Sequence, residues 1–266
     1  MNLILCEAVE VAAGETSAES VVRLSNTDRR YVHCTTILKV DAGAVCRLGV
    51  IGGDMFDATI VELSSESITF TFSAVNKRET PEFADLNISL ILAMPRPKVL
   101  DRLFPVFSQL GFRRVMLINA ERVENAYFHT HVILESNSRP KLIKGLEQAA
   151  VSTRLPEVSI DKRPFETFLT KRLDVAFPPE SCNRFICDPA RPDGDTGPAA
   201  LDLTRETVIA LGPEGGWLDC EVMELRSRGF IPVTCSSRIF TTDVALIALT
   251  AAVTSRLNPV LLGGHI

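Results

Sequence analysis

The sequence predicts an α/β protein in which a small β-rich domain precedes a mostly parallel sheet covered by helices. Up to about residue 78, short segments alternate apolar and polar residues and are separated by turn signals, which is typical of strands. Beyond that point, buried strands alternate with helices, which is the pattern of a parallel sheet. We therefore predict two domains, residues 1–78 and 79–266.

The first domain contains several strand-like segments. They are VVRL, AVCRLGV, MFDATIVEL and SITFTF. The segment DRRYVHCTTIL predicts a helix among them, with Asp28 as its N-cap. The segment SAVNKRETPEF is polar and is interrupted by Pro81, so we interpret it as the linker.

The second domain alternates the two kinds of element. The predicted strands are LNISLILAM, RVMLIN, VSI, RFICD, TVIALG and FIPVTC. The predicted helices are PKVLDRLFPVFSQLG, RPKLIKGLEQAAVSTRL, FETFLTKRL, CEVMELRSRG and DVALIALTAAVTSRLN. The first of these helices has Pro97 in its first turn and Gly111 just past its end, which is the usual asymmetry of helix termini.

Composition restricts the class of protein. A chain of 266 residues, 46% of them hydrophobic, can bury a full core. No apolar run approaches the roughly eighteen residues that span a bilayer, and the opening MNLILCEAVE lacks the features of a secretory signal. We therefore expect no membrane partner and a protein that stays where it is made.

Cysteine usage and charge narrow the setting further. The seven cysteines are scattered and never form a CxxC pair, so we expect reduced thiols in a cytosol-like compartment, no disulfide framework and no metal site. The net charge of −5 gives no general attraction for nucleic acid, so any RNA binding requires a local basic face. The candidates for that face are Arg23, Arg29, Arg30, Lys77, Arg78, Arg96, Lys98, Arg113 and Arg114.

Unusual loops follow three of the predicted strands. They are Cys187-Asp188-Pro189, the stretch from Gly212 to Gly216, and Ser236-Ser237-Arg238. Because ligands of such sheets bind beyond the carboxyl ends of the strands, we expect these loops to converge on one site.

The stretch LGPEGGW, Leu211 to Trp217, indicates what kind of ligand that site takes. Its glycines favour a sharp turn and close approach of a ligand to the backbone. The spacing matches neither the phosphate-binding P-loop nor the dinucleotide fingerprint, and the carboxylate of Glu214 would repel a phosphate. A neutral or cationic ligand fits better, and S-adenosylmethionine (SAM), with its sulfonium, is one. Alternatively, Glu214 caps the helix that follows.

Several segments in order resemble one protein family. LGPEGGW, then PVTC, then SSRIFTTDVA are similar to the RsmE family of ribosomal RNA uridine-N3 methyltransferases, which belongs to the SPOUT class. MNLIL, DRRYVH, GGDMFDATI, RPK, RVENAYF and LEQA look like family segments in family order. The resemblance covers nearly the whole chain.

The resemblance implies a fold, a reaction and partners. It implies a PUA-like β-barrel that binds RNA, followed by an α/β domain with a deep trefoil knot. It also implies a cytoplasmic homodimer, or an organellar one in a eukaryote, that uses SAM. The substrate would be N3 of a uridine in small-subunit ribosomal RNA or in the assembled small subunit.

The site residues follow from matching this sequence to the family's motifs. Arg238 is the predicted catalytic residue, since a cation there would stabilise negative charge on the uracil carbonyls. Arg23, Arg29 and Arg30 are the predicted RNA-binding residues. The predicted cofactor-binding residues are Cys187, Asp188, Leu211, Gly212, Pro213, Glu214, Gly215, Gly216, Cys235, Ser236, Ile239, Phe240 and Asp243.

The last predicted helix supplies the expected dimer contact. Its small and apolar residues would allow close packing, or would face the monomer's own core. These residues are Val244, Ile247, Ala248, Ala251 and Ala252.

Some positions depart from the family's pattern. Thr241 stands where the family has a second arginine, Asp243 where it has glutamate, and Ala150 where it often has arginine, while Cys235-Ser236 replaces Leu-Gly. A retargeted or catalytically weakened homologue, acting as an RNA-binding or ribosome-assembly factor, is therefore an alternative.

A hydrolase is a further alternative. It would use Cys187 or Cys235 with His129 or His131, which lie close together in YFHTHV.

Overall fold

The structure is a computed structural model. It describes residues 3–14, 18–81, 86–188, 202, 204–234, 236 and 238–257. Residues 255–257 are described by their backbone alone. The chain divides into two compact units, the first formed by Met1–Asp85 with Pro140–Leu155 and the second by Leu86–Arg139 with Pro156–Ile266. The boundary predicted from the sequence assigns 140–155 to the second domain, whereas its contacts place it with the first unit.

The first unit is built on a mainly antiparallel sheet. Its strands are β1 (Ile4–Cys6), β2 (Ala12–Ala13), β3 (Glu19–Ser25), β4 (Val45–Val50), β5 (Met55–Leu63), β6 (Ser67–Ser73) and β7 (Lys77–Arg78). Their order is β1-β4-β5-β6-β3-β2, with β7 paired to β5, and only β1 and β4 run parallel. The strands predicted for this domain are confirmed. The predicted linker is wrong at Lys77 and Arg78, which pair with Phe56 and Met55.

The helix predicted in the first unit is confirmed, with an irregular second half. α1 (Arg29–Val32) continues as a π-helix, His33–Leu38. Asp28 is its N-cap, and its carboxylate accepts a hydrogen bond of 2.7 Å from the backbone N–H of Arg30. Short 3-10 helices occupy Ala8–Glu10 and Ala74–Asn76.

The second unit contains a fully parallel sheet, as predicted. Its strands are β8 (Ile88–Ala93), β9 (Arg114–Ile118), β10 (Glu157–Asp161), β11 (Cys182–Cys187), β12 (Glu206–Leu211) and β13 (Ile231–Val233). Their order is β10-β9-β8-β12-β11-β13, and every neighbouring pair is parallel. The trefoil knot and the barrel of the first unit stay predictions.

The helices of the chain beyond β8 follow the predicted order. They are α2 (Pro97–Gln109), α3 (Glu135–Ala149), α4 (Phe165–Phe168), α5 (Asp174–Ala176), α6 (Asp219–Ser227) and α7 (Thr242–Leu257). A π-helix, Leu169–Leu173, connects α4 to α5, and 3-10 helices occupy Asn125–His129 and His131–Ile133. Within the described ranges, no helix is both long and apolar enough to cross a bilayer.

The predicted bounds of α3, 139–155, are wrong at both ends. The helix begins at Glu135, so Pro140 lies inside it rather than in its first turn. It ends at Ala149, because Ala150 adopts the left-handed conformation with φ 61°. The end of α3 belongs to the first unit, where Leu146 and Ala150 join a buried cluster with Leu3, Leu5 and Met55.

Candidate functional site

The carboxyl ends of β11, β12 and β13 meet at one edge of the parallel sheet. Ala210 pairs with Ile186, and Cys187 pairs with Val233, so the three strands end at the same level. Beyond them, the backbone N–H of Asp188 donates to the carbonyl of Val233 at 3.3 Å. The strand ends therefore meet at one edge, while the convergence of the three loops on one site stays a prediction. Pro189 of the first predicted loop and Ser237 of the third lie outside the described residues.

The stretch Gly212 to Gly216, here called the glycine loop, folds as a tight turn after β12. The backbone N–H of Gly216 donates to the carbonyl of Pro213 at 2.7 Å. Gly216 has φ 72°, a conformation that side chains with a β-carbon rarely adopt. The turn leaves Glu214, Gly215 and Gly216 exposed.

Trp217 supports the glycine loop from below. Its indole packs against Gly212 so closely that a β-carbon there would lie 3.0 Å from Nε1. The ring also packs against Phe165, with 5.6 Å between ring centroids. Trp217 Nε1 is buried and has no hydrogen-bond partner in the described part of the chain. The sequence analysis assigns no role to Trp217, although an aromatic residue directly after the glycines is a signal that a ring supports the loop.

Two hydrogen bonds tie the glycine loop to the loops after β8 and β9. The carboxylate of Glu214 accepts a bond of 2.8 Å from the backbone N–H of Arg96. The guanidinium of Arg122 donates to the carbonyl of Gly215. The alternative that Glu214 caps α6 is wrong, because its carboxylate is directed to the β8–α2 loop and the N-cap residue of α6 is Leu218.

Glu221, rather than Glu214, caps the start of α6. One of its carboxylate oxygens accepts from the backbone N–H of Leu218 at 2.7 Å, and the other from that of Glu121 at 2.9 Å. The side chain is buried. A single carboxylate therefore starts α6 and also fixes the loop after β9.

The segment between β13 and α7 turns on side-chain hydroxyls. Thr234 donates to the carbonyl of Ser236 at 2.8 Å, and the backbone N–H of Arg238 donates to the hydroxyl of Ser236 at 3.0 Å. The side chains of Arg238 and Ile239 are exposed, Ile239 to 89%. Cys235 lies outside the described residues.

Asp243 stands at the start of α7, where it makes several contacts. Its carboxylate accepts from the Thr241 hydroxyl and, at 3.2 Å, from the backbone N–H of Val244. It also pairs with Arg102 at 3.4 Å. Hydrogen bonding from Thr241 outweighs partial burial and lowers the pKa of Asp243. Two of the departures from the family's pattern, Thr241 and Asp243, thus contact each other.

The remaining predicted cofactor residues differ in exposure. Leu211, Pro213, Cys187 and Asp188 are buried, whereas Ser236 and Phe240 are half-buried. A ligand at this edge would therefore meet backbone groups at several of them. Contact with the cofactor stays a prediction for all of these residues.

The hydrolase alternative gains no support from the structure. Cys187 is buried, and among its possible partners His129 and His131 are both exposed.

The predicted RNA-binding arginines of the first unit differ in how their charges are used. Arg23 is exposed and donates to the hydroxyl of Ser67 at 3.0 Å. Arg29 has a side chain 55% exposed and donates twice, at 2.8 and 2.9 Å, to Glu147, whose side chain is only 2% exposed. Both are accessible to a phosphate.

Arg30 is buried, and its guanidinium is already satisfied. It donates to the carbonyl of Leu5 and to both carboxylate oxygens of Glu10 and of Asp28. These bonds use all five N–H groups of an arginine side chain. Phosphate binding by the three arginines stays a prediction, but the structure gives Arg30 a role inside the first unit.

Comparison with known proteins gives consistent matches. The model of the RNA methyltransferase domain family matches residues 82–254. Ribosomal RNA small subunit methyltransferase E of Treponema pallidum (strain Nichols) is 30% identical over 255 residues, covering 95% of this chain and 90% of that protein. Ribosomal RNA small subunit methyltransferase E 1 of Borreliella burgdorferi is 22% identical over 260 residues, covering 97% and 99%.

A solved structure is similar along nearly the whole chain. It is the ribosomal RNA small subunit methyltransferase E of Neisseria gonorrhoeae bound to S-adenosyl methionine. It superposes with a TM-score of 0.68 at 19% identity, covering 96% of this chain and 97% of that one. At this identity the likeness establishes the fold.

Proposed function

Because the chain belongs to the ribosomal RNA small subunit methyltransferase E family, we propose that it transfers a methyl group from SAM to N3 of a uridine in small-subunit ribosomal RNA. The observation that carries the proposal is the edge of the parallel sheet where the glycine loop, Asp188 and Arg238 follow strands that end at one level. That edge is where sheets of this kind bind their ligands.

The residues at this edge fit SAM. The glycine loop offers backbone without side chains beside an exposed carboxylate, Glu214, and the buried carboxylate of Asp188 follows β11. Carboxylates suit a sulfonium and do not suit a phosphate. The residues that would hold the cofactor are those of the glycine loop, with Asp188 and the segment from Ser236 to Phe240. SAM supplies an electrophilic methyl group when bound.

Arg238 is the residue that would assist the transfer. As uracil N3 loses its proton and attacks, negative charge spreads onto the two neighbouring carbonyl oxygens, and a positioned guanidinium stabilises it. Arg238 is exposed, and no carboxylate of the described chain lies within ion-pair distance of it. N3 lies on the Watson–Crick edge, so the enzyme takes the uridine unpaired or flipped out.

The first unit supplies the proposed RNA contact. Arg23 and Arg29 are exposed, so neutralising both should weaken RNA binding and flatten its dependence on salt. Arg30 is best left in place in that experiment, because its removal would strand Glu10 and Asp28.

The active species is a homodimer formed through α7. Val244 and Ile247 are each 47% exposed, and Ala251 and Ala252 are exposed on the same face of the helix. An apolar helical stripe of this kind is typical of a contact surface. The protein acts in the cytoplasm, and the described cysteines are free thiols, as that compartment requires.

The decisive experiment is mass spectrometry of small-subunit rRNA from cells that lack the protein. Loss of one N3-methyluridine, restored by the wild-type gene and not by an Arg238→Ala variant, is the expected result. A complete set of methylated uridines in the deletion strain would refute the proposed substrate. Methylation by purified protein of naked rRNA, compared with assembled subunits, then identifies which of the two it acts on.

A further inference from the structure

The loops after β8 and β9 bring an arginine and a tyrosine to the mouth of the candidate site. Arg96 follows β8 and is held by its backbone N–H on the carboxylate of Glu214. Tyr127 lies in the 3-10 helix after β9, and its hydroxyl donates to Glu124 at 2.6 Å. The hydrogen bond to Glu124 raises the pKa of the Tyr127 hydroxyl, and the nearby Arg96 guanidinium opposes that rise. We call this pair, Arg96 and Tyr127, the rim.

The rim is fixed to the glycine loop at several points. Arg122, in the same loop as Tyr127, donates to the carbonyl of Gly215, and Glu121 is anchored on Glu221. β9 is not next to β12 in the sheet, because β8 lies between them. The loop after β9 therefore passes the end of β8 to reach the glycine loop, which brings its exposed residues beside the cofactor's predicted place.

The charge at the rim is left without a counter-ion. Six arginines of the second unit form ion pairs with carboxylates: Arg102, Arg114, Arg163, Arg184, Arg205 and Arg228. By contrast, the described chain offers no carboxylate within ion-pair distance of the Arg96 or Arg122 guanidinium. In a protein of net charge −5, such cations at the mouth of a site indicate an anionic ligand.

That ligand is distinct from the cofactor, whose sulfonium end is cationic. An exposed guanidinium beside a tyrosine ring is the combination that proteins use for single-stranded RNA, with the cation on a phosphate and the ring stacked on a base. We propose that Arg96 and Tyr127 bind the target nucleotide of an unpaired RNA segment, Arg96 through its phosphate and Tyr127 by stacking on its pyrimidine ring. This inference rests on the proposed function, because it takes the substrate to be a uridine.

The test measures binding, so that it does not depend on methyl transfer. Fluorescence anisotropy with labelled oligouridine, at several salt concentrations, compares the wild type with Arg96→Gln, Tyr127→Ala and Tyr127→Phe. Arg96→Gln keeps the backbone N–H that Glu214 binds, so the glycine loop is preserved. The matched control is Arg226→Gln, which removes an exposed arginine in the last turn of α6.

Each variant has its own expected result. Arg96→Gln should make the salt slope shallower by about 0.7, the value for one phosphate on a single strand. Tyr127→Ala should weaken binding roughly 5- to 100-fold, and Tyr127→Phe, which keeps the ring, less than about twofold. Calorimetry should give wild-type SAM affinity for all of these variants. If the rim only supported the glycine loop, the rim variants would lose SAM affinity as well.

Two outcomes overturn the inference. One is an unchanged salt slope and affinity in Arg96→Gln and Tyr127→Ala, and the other is a wild-type protein that does not bind oligouridine. If the rim variants lose binding as expected while the wild type methylates no rRNA, the rim is supported and the proposed reaction is refuted.

Discussion

Replacing Gly212 by alanine tests whether Trp217 sets the shape of the glycine loop. An added β-carbon would lie 3.0 Å from Trp217 Nε1 and 3.1 Å from Cδ1 and from Cε2, where ordinary contacts are 3.4–4 Å. The indole cannot simply retreat, because Phe165 lies on it and both side chains pack against the buried core of the second unit. The loop must therefore shift by a few tenths of an ångström.

The size of the effect follows from this overpacking. Extra carbon atoms in a packed site cost about 1–3 kcal/mol. A loop that relaxes in the free protein must regain its original shape to bind, so the strain returns as lost affinity. Because each 1.4 kcal/mol is about tenfold in affinity, we expect Gly212→Ala to weaken SAM binding roughly 5- to 150-fold.

Calorimetric titration with SAM is the assay. Gly53→Ala in the first unit is the control, since a β-carbon there meets only an ordinary contact of 3.4 Å and the affinity should not change. Trp217→Leu removes the obstructing ring, so adding Gly212→Ala to it should cost little more. The reasoning is refuted if Gly212→Ala binds SAM as the wild type does, or if its effect is undiminished in the Trp217→Leu background.

Three further predictions concern other parts of the chain. Arg30→Met should destabilise the protein by about 3 kcal/mol at neutral pH in urea unfolding, because it strands the two partly buried carboxylates of Glu10 and Asp28. Hydrogen bonds from Arg30 are the main cause of the lowered pKa of Glu10, and together they outweigh burial and lower the pKa of Asp28. The stabilisation is therefore present above the usual carboxyl pKa and is lost as the pH falls through the lowered values. The stabilities of wild type and variant should converge in acid, and a difference that stays constant with pH would contradict this account. Arg238→Ala should lower the turnover of methyl transfer about a hundredfold or more with SAM affinity unchanged, and a turnover equal to that of the wild type would exclude Arg238 from catalysis. Thr241→Arg should raise turnover on small-subunit rRNA if the missing arginine weakens catalysis. Ile247→Lys should convert a dimer to a monomer in light scattering. The control is Met223→Lys on α6, where the side chain is also exposed, and a wild type that is monomeric at micromolar concentration would end the dimer proposal.

Regular elements of this fold could be predicted because their signals are local. The central strand β8 is a continuous buried run, and α2 carries its apolar residues at helical spacing between Pro97 and Gly111. α3 was harder, since its first turn, Glu135 to Ser138, has no apolar periodicity and Pro140 resembled a start. Its end depends on the left-handed conformation of Ala150, which an alanine in the sequence does not predict.

The position of the candidate site could be predicted from the sequence, but the hydrogen bonds between its loops could not. The alternation of strands and helices predicts a parallel sheet, and the carboxyl ends of parallel strands lie at one edge, so the proximity of Asp188 to the glycine loop could be predicted. The hydrogen bonds to the glycine loop come from Arg96 and Arg122, in the loops after β8 and β9, and Glu221 of α6 holds the second of these loops through the backbone N–H of Glu121. Such pairings have no sequence spacing, although Glu221, three residues after Leu218, has the position of a capping-box glutamate.

The discontinuity of the first unit has a consequence for how the protein is made. Residues 140–155 complete the buried cluster around Leu3, Leu5 and Met55, so the unit lacks part of its core until that segment has been synthesised. An N-terminal unit usually folds first as a chain emerges from the ribosome, but here it must wait while β8, α2 and β9 are translated. A fragment that stops at residue 85 would leave Leu3 and Leu5 uncovered and prone to aggregation. Neither unit is one continuous segment of the chain, so neither can be moved into another protein as a single piece.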